Sequence, residues 1–261
     1  MSQTFEGRSP GEFWLIETDG IFKSQAEIDS HVSSDGTVIQ PDAQPGDIRF
    51  VDANDDGQIT SEPEGGDRVF SGLGIAPWNA GLNINATYSN FDLTLSFYGN
   101  FGSKVYNGPK YLLEQPFGYD NFSPALLGAY DAATNPNSNF PRNNPNDAGE
   151  NWNSRPDSDR YLENGNFVKA SLIQFGYRLP SAFSEKLGMS SPRVYVSGQN
   201  LFTISGYEGI DPEQGRDGLI SAGIDRGTAP QFRTVLLLSL IHISEPTRRY
   251  AISYAGFCLK K

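Results

Sequence analysis

The chain of 261 residues carries one cysteine, Cys258, and two histidines, His31 and His242. Disulfide frameworks and Cys/His zinc sites need more than that, so both are excluded. Most Ser-His-Asp, Cys-His and poly-His arrangements fall for the same reason. Cations are scarce as well: 20 Lys+Arg against 31 Asp+Glu give a formal net charge of −11. Nucleic acid, a polyanion, is therefore an unfavourable partner. No run of about eighteen apolar residues occurs, which excludes a membrane-spanning helix. A transmembrane β-barrel passes that test, because only alternate residues of each strand face lipid. Met1–Pro10 is polar and has no apolar segment of the kind a signal peptide needs. Alone, that would suggest a cytoplasmic protein, but the strand count below leads us to expect that strands precede Met1.

What the chain does have is 28 glycines, 17 prolines and 12 % aromatics, a composition that suits an all-β chain with long loops. The clearest strand signal is Asn79–Phe101. Leu82, Ile84, Ala86 and Tyr88 alternate with Gly81, Asn83, Asn85 and Thr87. After Ser89-Asn90 the alternation resumes, with Phe91, Leu93, Leu95 and Phe97 against Asp92, Thr94, Ser96 and Tyr98. Successive strand side chains point to opposite faces, so this hairpin has one greasy and one wet side. Each arm runs about ten residues, enough for a tilted strand to cross a bilayer. A soluble β-sandwich hairpin alternates too, but its strands are usually shorter.

Six strands are expected, near Glu12–Phe22, Asn79–Tyr88, Phe91–Phe101, Asn166–Leu179, Pro192–Thr203 and Gln231–Leu237. Their connections alternate in length: 23–78, 102–165 and 204–230 are long, while Ser89-Asn90 and Pro180–Ser191 are short. An outer-membrane barrel shows this asymmetry, with short periplasmic turns and long extracellular loops. Six strands do not close a barrel that fills its lumen, since about eight are the practical minimum. The expected fold is therefore all-β, a partial transmembrane antiparallel β-barrel with long extracellular loops, residues 1–237 being the C-terminal part of the barrel. There is no internal repeat of fixed period, which disfavours solenoids and propellers.

Residues 238–261 read differently. Leu238-Ser-Leu-Ile-His-Ile-Ser-Glu-Pro-Thr-Arg248 resembles a translated sequencing-library adapter, followed by out-of-frame residues to Lys261. This expected non-native tail holds Cys258 and His242, and its removal takes away four basic residues and one acidic one. The remainder has 16 basic and 30 acidic residues, no cysteine, and His31 as its one histidine. The other reading is a native hydrophobic strand at Val235–Ile243.

Several segments resemble one family in order and spacing. Gly20-Ile21-Phe22 with Gln25–Asp29 resembles the "TDGIF…QAEID" stretch of SusC/RagA-family TonB-dependent outer-membrane transporters. Pro45–Asp52 with Asn54, Asp56, Gly57 and Ile59 is similar to their "PGDIRFVDVNGDGKID" loop, and Asp159–Gly165 with Gly176–Pro180 to their "SDRYIEDGSYLRL…LGYTLP" region. Arg193–Thr203 and Gly209–Glu213 complete the pattern, so that the resemblance covers about residues 11–237. It implies an outer-membrane location in a Bacteroidota-type Gram-negative bacterium. It also implies import of oligosaccharides or peptides, a SusD-like lipoprotein over the extracellular mouth, and energy from the TonB complex through an N-terminal part. Family members carry a signal peptide and a plug domain, and their last strand ends in an aromatic residue. This chain departs from all three, so the polypeptide as it stands is expected to transport nothing, and no catalytic residue is assigned.

One motif carries metal chemistry. Asp52, Asn54 and Asp56 stand at positions 1, 3 and 5 of an EF-hand-type loop, Gly57 at 6, and the Gln58 carbonyl at 7. Position 12 is Pro63, not an acid; Glu62 and Glu64 flank it, and Asp67 aligns with the closing acid only after an insertion. The expectation is a structural calcium ion, against an Asx-rich turn with an outward acidic face. No other cofactor is required. The 103–165 loop carries Tyr106, Tyr111, Phe117, Tyr119, Phe122, Tyr130, Phe140, Trp152 and Tyr161 among many asparagines. Rings with amides suit a sugar or peptide, but a long loop also needs rings for its own core. The pairs Asp157/Asp159 and Glu208/Asp211 have glycosidase-dyad composition, as do many acid pairs in so acidic a chain. Lumen-facing Asn83, Asn85, Asp92, Thr94 and Ser96 fit a wet interior better than a site. Two readings compete with the transporter: a secreted, calcium-stabilised β-sandwich carbohydrate-binding module, and a glycoside hydrolase. The loop asymmetry and strand length favour the barrel.

Overall fold

The structure is a computed structural model that describes residues 2–115, 121–144, 152–180, 189–213, 218 and 221–243. In chain order the first strands are β1 (Ser2–Gln3), β2 (Glu12–Ile16), β3 (Thr18–Ile21), β4 (Ile48–Phe50) and β5 (Arg68–Leu73). Then come β6 (Trp78–Tyr88), β7 (Phe91–Phe101), β8 (Lys104–Asn107), β9 (Leu162–Asn164) and β10 (Phe167–Arg178). The last are β11 (Met189–Gln199), β12 (Thr203–Ser205), β13 (Ile224–Asp225) and β14 (Thr234–Ile243). Among the described residues two short α-helices, α1 (Gln25–Asp29) and α2 (Gly108–Leu113), and 3-10 turns at Pro124–Gly128 and Asp159–Tyr161 lie in the long connections. The described residues form two compact units: a sheet drawn from 82–97, 170–180, 189–201 and 233–243, and a loop body drawn from the described parts of 2–81, 98–169 and 202–232.

The large sheet has the order β14-β11-β10-β7-β6, with β12 pairing β10 off that path. The β10–β11 and β11–β14 ladders are antiparallel, and the sheet is open. Its alternation is visible in the contacts. On one face Phe91 stacks on Phe175 with centroids 5.6 Å apart and meets Tyr177 at 4.8 Å. On the other, Thr94 Oγ1 donates to Asn85 Oδ1 at 3.0 Å, and Arg193 Nε donates to Asp92 Oδ1 at 2.9 Å. That ion pair spans β10 at Gly176, where a Cβ would stand 2.6 Å from Asp92 and 2.7 Å from Arg193. Leu93 and Leu95 enter none of the buried core clusters. A soluble sandwich would have packed them against a second sheet.

The loop body is where the core lies. One correction to the sequence reading falls here: Glu12–Phe22 is not one strand. It breaks at Glu17 into β2, which joins the β1-β2-β5 sheet, and β3, which pairs β4. The reason is that β2 is buried on both sides, with Phe13, Leu15 and Ile16 at 0 % exposure, so no alternation was there to read. Its two faces feed two cores. Phe13 and Leu15 pack with Tyr106 and Tyr161, while Ile16 packs with Ile21, Ile39, Ile48, Phe50, Ile59 and Tyr130. Each such side chain contributes about 1.5–3 kcal/mol on burial. The first helix starts where its sequence says it should. Ser24 caps the Glu27 amide, and Glu27 Oε2 accepts back from the Lys23 amide at 2.8 Å.

Candidate functional site

The calcium-motif loop is folded by its own acids. Asp52 Oδ1 accepts from the Asp55 amide at 2.7 Å, and Oδ2 from the Gly57 amide at 2.8 Å. Asn54 Oδ1 accepts from the Asp56 amide, and Asp56 Oδ1 from the Gln58 amide. Asp55 and Gly57 take left-handed φ values of 61° and 80°, which gives the loop its sharp turn. Asp67 is fully buried and ties the loop ends together, accepting from the Ala53 amide at 2.9 Å and the Thr60 amide at 2.7 Å. Burial raises the Asp67 carboxyl above the usual aspartate range, against those two bonds. Among the described residues, no three His, Cys, Asp or Glu side chains gather as a metal-holding cluster. The turn exists, and its side-chain oxygens accept from backbone amide groups.

The other motif acids are anchors that pin distant segments together. Asp47, at 0 % exposure, receives Arg142 through Nε at 2.6 Å and Nη2 at 3.1 Å. Asn153 Nδ2 and the Gln44 amide, each at 2.8 Å, complete its set. Gly46 precedes it at φ 99°, and a Cβ there would come 2.4 Å from the Tyr130 ring. Asp157 receives Arg155, Arg68 and the Ser61 hydroxyl. Asp159 Oδ1 accepts from the Thr18 hydroxyl at 2.7 Å and the Thr18 amide at 3.1 Å, while burial raises its carboxyl. Asp157 is thus engaged by three side-chain donors, and Asp159 by Thr18 through one oxygen. Glu208 and Asp211 face different partners, Lys110 and Lys169. His31 points an imidazole nitrogen at the Phe50 carbonyl, 3.0 Å away, and burial lowers its pKa.

Of the loop aromatics, Tyr106, Tyr130 and Tyr161 are buried packing rings, and Tyr111 packs against the core that holds Tyr106 and Tyr161. Phe122 is exposed, while Phe117 and Tyr119 lie outside the described residues. Phe140 lines a cavity of about 370 Å³ with Lys110, Glu114, Asn139, Arg160 and Glu208. There Arg160 lies over the Phe140 ring at 4.7 Å and pairs with Glu114 at 2.8 Å. Lys110 pairs with Glu163 and Glu208 at 3.3 and 2.7 Å; burial opposes its charge, but these carboxylates outweigh it and raise its pKa. A second cavity of about 430 Å³ has Ile75, Val105 and Phe167 beside Asn79, Asn100 and Ser103. Both volumes lie in the range of ligand sites, with aromatic or aliphatic walls and a few polar groups. Sequence reasoning missed these cavities, because their linings come from segments far apart in the chain.

An open antiparallel sheet with one apolar and one polar face, carrying long folded loops, is part of a transmembrane β-barrel. No protein-family model matches the chain. It is 29 % identical over 235 residues to the TonB-dependent receptor P3 of Formosa agariphila, covering 88 % of this chain and 22 % of that protein. It is 27 % identical over 202 residues to the TonB-dependent receptor SusC of Bacteroides thetaiotaomicron, covering 77 % and 18 %. Among solved structures it matches the RagAB peptide importer in its open-open state, with a TM-score of 0.65 and 19 % identity, over 92 % of this chain and 25 % of that one. The chain spans about a fifth of the length of the curated relatives it matches. These matches agree with the resemblance read in the sequence: the chain is similar to a segment of outer-membrane TonB-dependent receptor barrels, SusC among them, and shares the fold of the RagAB importer.

Proposed function

We propose that this chain is the C-terminal barrel part of a transporter that imports oligosaccharides or peptides using energy from TonB, with a SusD-like lipoprotein over its outer mouth. The observation that carries the reading is the pairing of a two-faced open sheet with a folded loop body. The sheet supplies a lipid face and a wet face. The loop body supplies cavities lined by amides, hydroxyls and rings. The relatives are receptors and transporters, and the acid pairs that could suggest hydrolysis are engaged by guanidinium, ammonium and hydroxyl groups, so we assign no enzymatic role. The test is deletion of the parent gene, and separately of a neighbouring SusD-like gene, in the natural host. Loss of growth on a defined oligosaccharide or peptide pool, restored by the intact gene, supports import. Unchanged growth and uptake across both pools, with the receptor shown to be expressed, overturns it.

We also propose that the Asp52–Asp67 loop takes a structural calcium ion. Asp52, Asn54, Asp56 and the Gln58 carbonyl would be its ligands, with Asp67 or Glu62 closing the shell. The 1-3-5 spacing and the left-handed Gly57 support this, since carboxylates that cap amides at such a turn keep lone pairs for an ion. Calorimetry on a full-length relative is expected to show calcium uptake that Asp56→Ala abolishes. Absence of uptake, or uptake untouched by Asp56→Ala, rejects the site.

A further inference from the structure

Tyr207–Glu213 crosses the loop body as a strap fastened at both ends. At its start the Tyr207 hydroxyl donates to Asp225 Oδ2 at 2.6 Å, and the Glu208 amide donates to Glu163 Oε2 at 2.8 Å. At its far end Lys169, on β10, meets Glu213 Oε2 at 2.6 Å and Asp211 Oδ2 at 3.4 Å. Lys169 is 1 % exposed and Asp211 6 %. The Tyr98 hydroxyl, from β7, donates to the same Glu213 carboxylate, and Gln231 reaches both acids at 3.4–3.5 Å. Between the two fastenings Ile210 is 73 % exposed, and apolar burial on the strap is confined to Tyr207 and Pro212. Polar bonds, more than core packing, therefore hold this segment down.

The far fastening stands at the wall of a cavity. Pro212, between the two acids, lines the cavity of about 430 Å³, and so does Phe167, two residues before Lys169. A buried lysine serving two carboxylates of one short segment adds little net stability, but its removal leaves uncompensated buried charge. Without the ammonium, two carboxylates face each other in a dry site, and the segment that carries them has to move toward water.

We propose that Lys169 is the catch of a strap, Tyr207–Glu213, that closes one side of this cavity, and that release of the catch opens the cavity while the Tyr207 end stays fixed. The inference rests on the loop body alone and holds whatever the receptor carries. The experiment uses the full-length receptor in outer-membrane preparations, with a reporter thiol introduced at the cavity wall by Ser103→Cys, residues 1–237 having no cysteine of their own. Maleimide labelling of that thiol reads access to the cavity, and hydrogen exchange over residues 203–213 reads the strap. Lys169→Met is expected to speed labelling at least about tenfold, because a buried charge-assisted bond is lost, and to raise exchange in 203–213. Exchange in 172–178 should stay as it was. The neutral combination Lys169→Met, Asp211→Asn and Glu213→Gln is expected to return labelling toward the slow rate. Should Lys169→Met fail to assemble, Glu213→Gln alone gives a smaller acceleration of the same sign. Unchanged labelling, or exchange rising equally in 172–178, overturns the proposal, since the cluster would then be a general stabiliser and not a catch.

Discussion

Asp157 shows how one side chain can hold three stretches of chain. Arg155 Nε lies 3.0 Å from Oδ1, Arg68 Nη2 lies 3.1 Å from Oδ2, and the Ser61 hydroxyl donates to Oδ2. Burial disfavours its charge, yet the hydroxyl and the two guanidinium groups outweigh burial and hold the carboxyl at about 2. A depressed folded value means stabilisation that is complete above the unfolded value of 3.8 and is lost as pH falls through 2. The contribution is about 2 kcal/mol. Acid unfolding of the loop body followed by near-ultraviolet circular dichroism is expected to steepen between those values, and Asp157→Asn to flatten that step. Asp47 is the stronger anchor. Asp47→Ala strands Arg142 and Asn153 without their acceptor and is expected to cost about 3–5 kcal/mol, read as lost hydrogen-exchange protection across residues 40–50. Neither role was legible beforehand. The motif Pro45–Asp52 could be matched to a family, but the partners of Asp47 lie 95 and 106 residues away, and no local pattern names them.

At the scale of elements, the hairpin β6–β7 was legible because a period of two is written into every residue of it. The alternation predicted which side chains share a face, and Phe91/Phe175/Tyr177 and Asp92/Arg193 fall on opposite faces accordingly. Where both faces of a strand are buried, that signal vanishes. This is why β2 and β3 read as one barrel strand and are instead two short strands of separate small sheets. The two-faced sheet makes a direct prediction about substitution. Leu93→Arg puts a charge on the apolar face and is expected to cost up to about 2–4 kcal/mol, depending on depth in the bilayer. Thr94→Lys, one residue on and beside Asn85, is expected to cost under about 1 kcal/mol. Urea titration of the full-length receptor refolded into lipid vesicles checks both, and equal costs would contradict the assignment of faces.

For the whole molecule, the long connections were readable as long but not as a body with its own cores. Their apolar residues follow no helical or strand period, and what gathers the described ones is a set of polar anchors distant in sequence together with small buried clusters. The division at Leu238 belongs to this scale too. β14 runs Thr234–Ile243 and pairs β11 without interruption from Thr234↔Gln199 to Leu240↔Arg193. The ladder shifts register only between Arg193 and Ser190. Leu240, Ile241 and Ile243 are apolar or β-branched, and such residues extend a ladder whatever their origin, so pairing does not distinguish native strand from chance. Pro246, lacking an N–H, is a poor continuation of any strand, and residues 244–261 lie outside those described. We propose that residues 238–261 are foreign to the parent protein. Independent sequencing of the parent gene is expected to give a frame that leaves this one at about Leu237 and reaches an aromatic residue and a stop within about ten codons, the strand length a bilayer needs. A read that continues through Glu245-Pro246-Thr247-Arg248 would make the tail native and β14 a true barrel strand to Ile243.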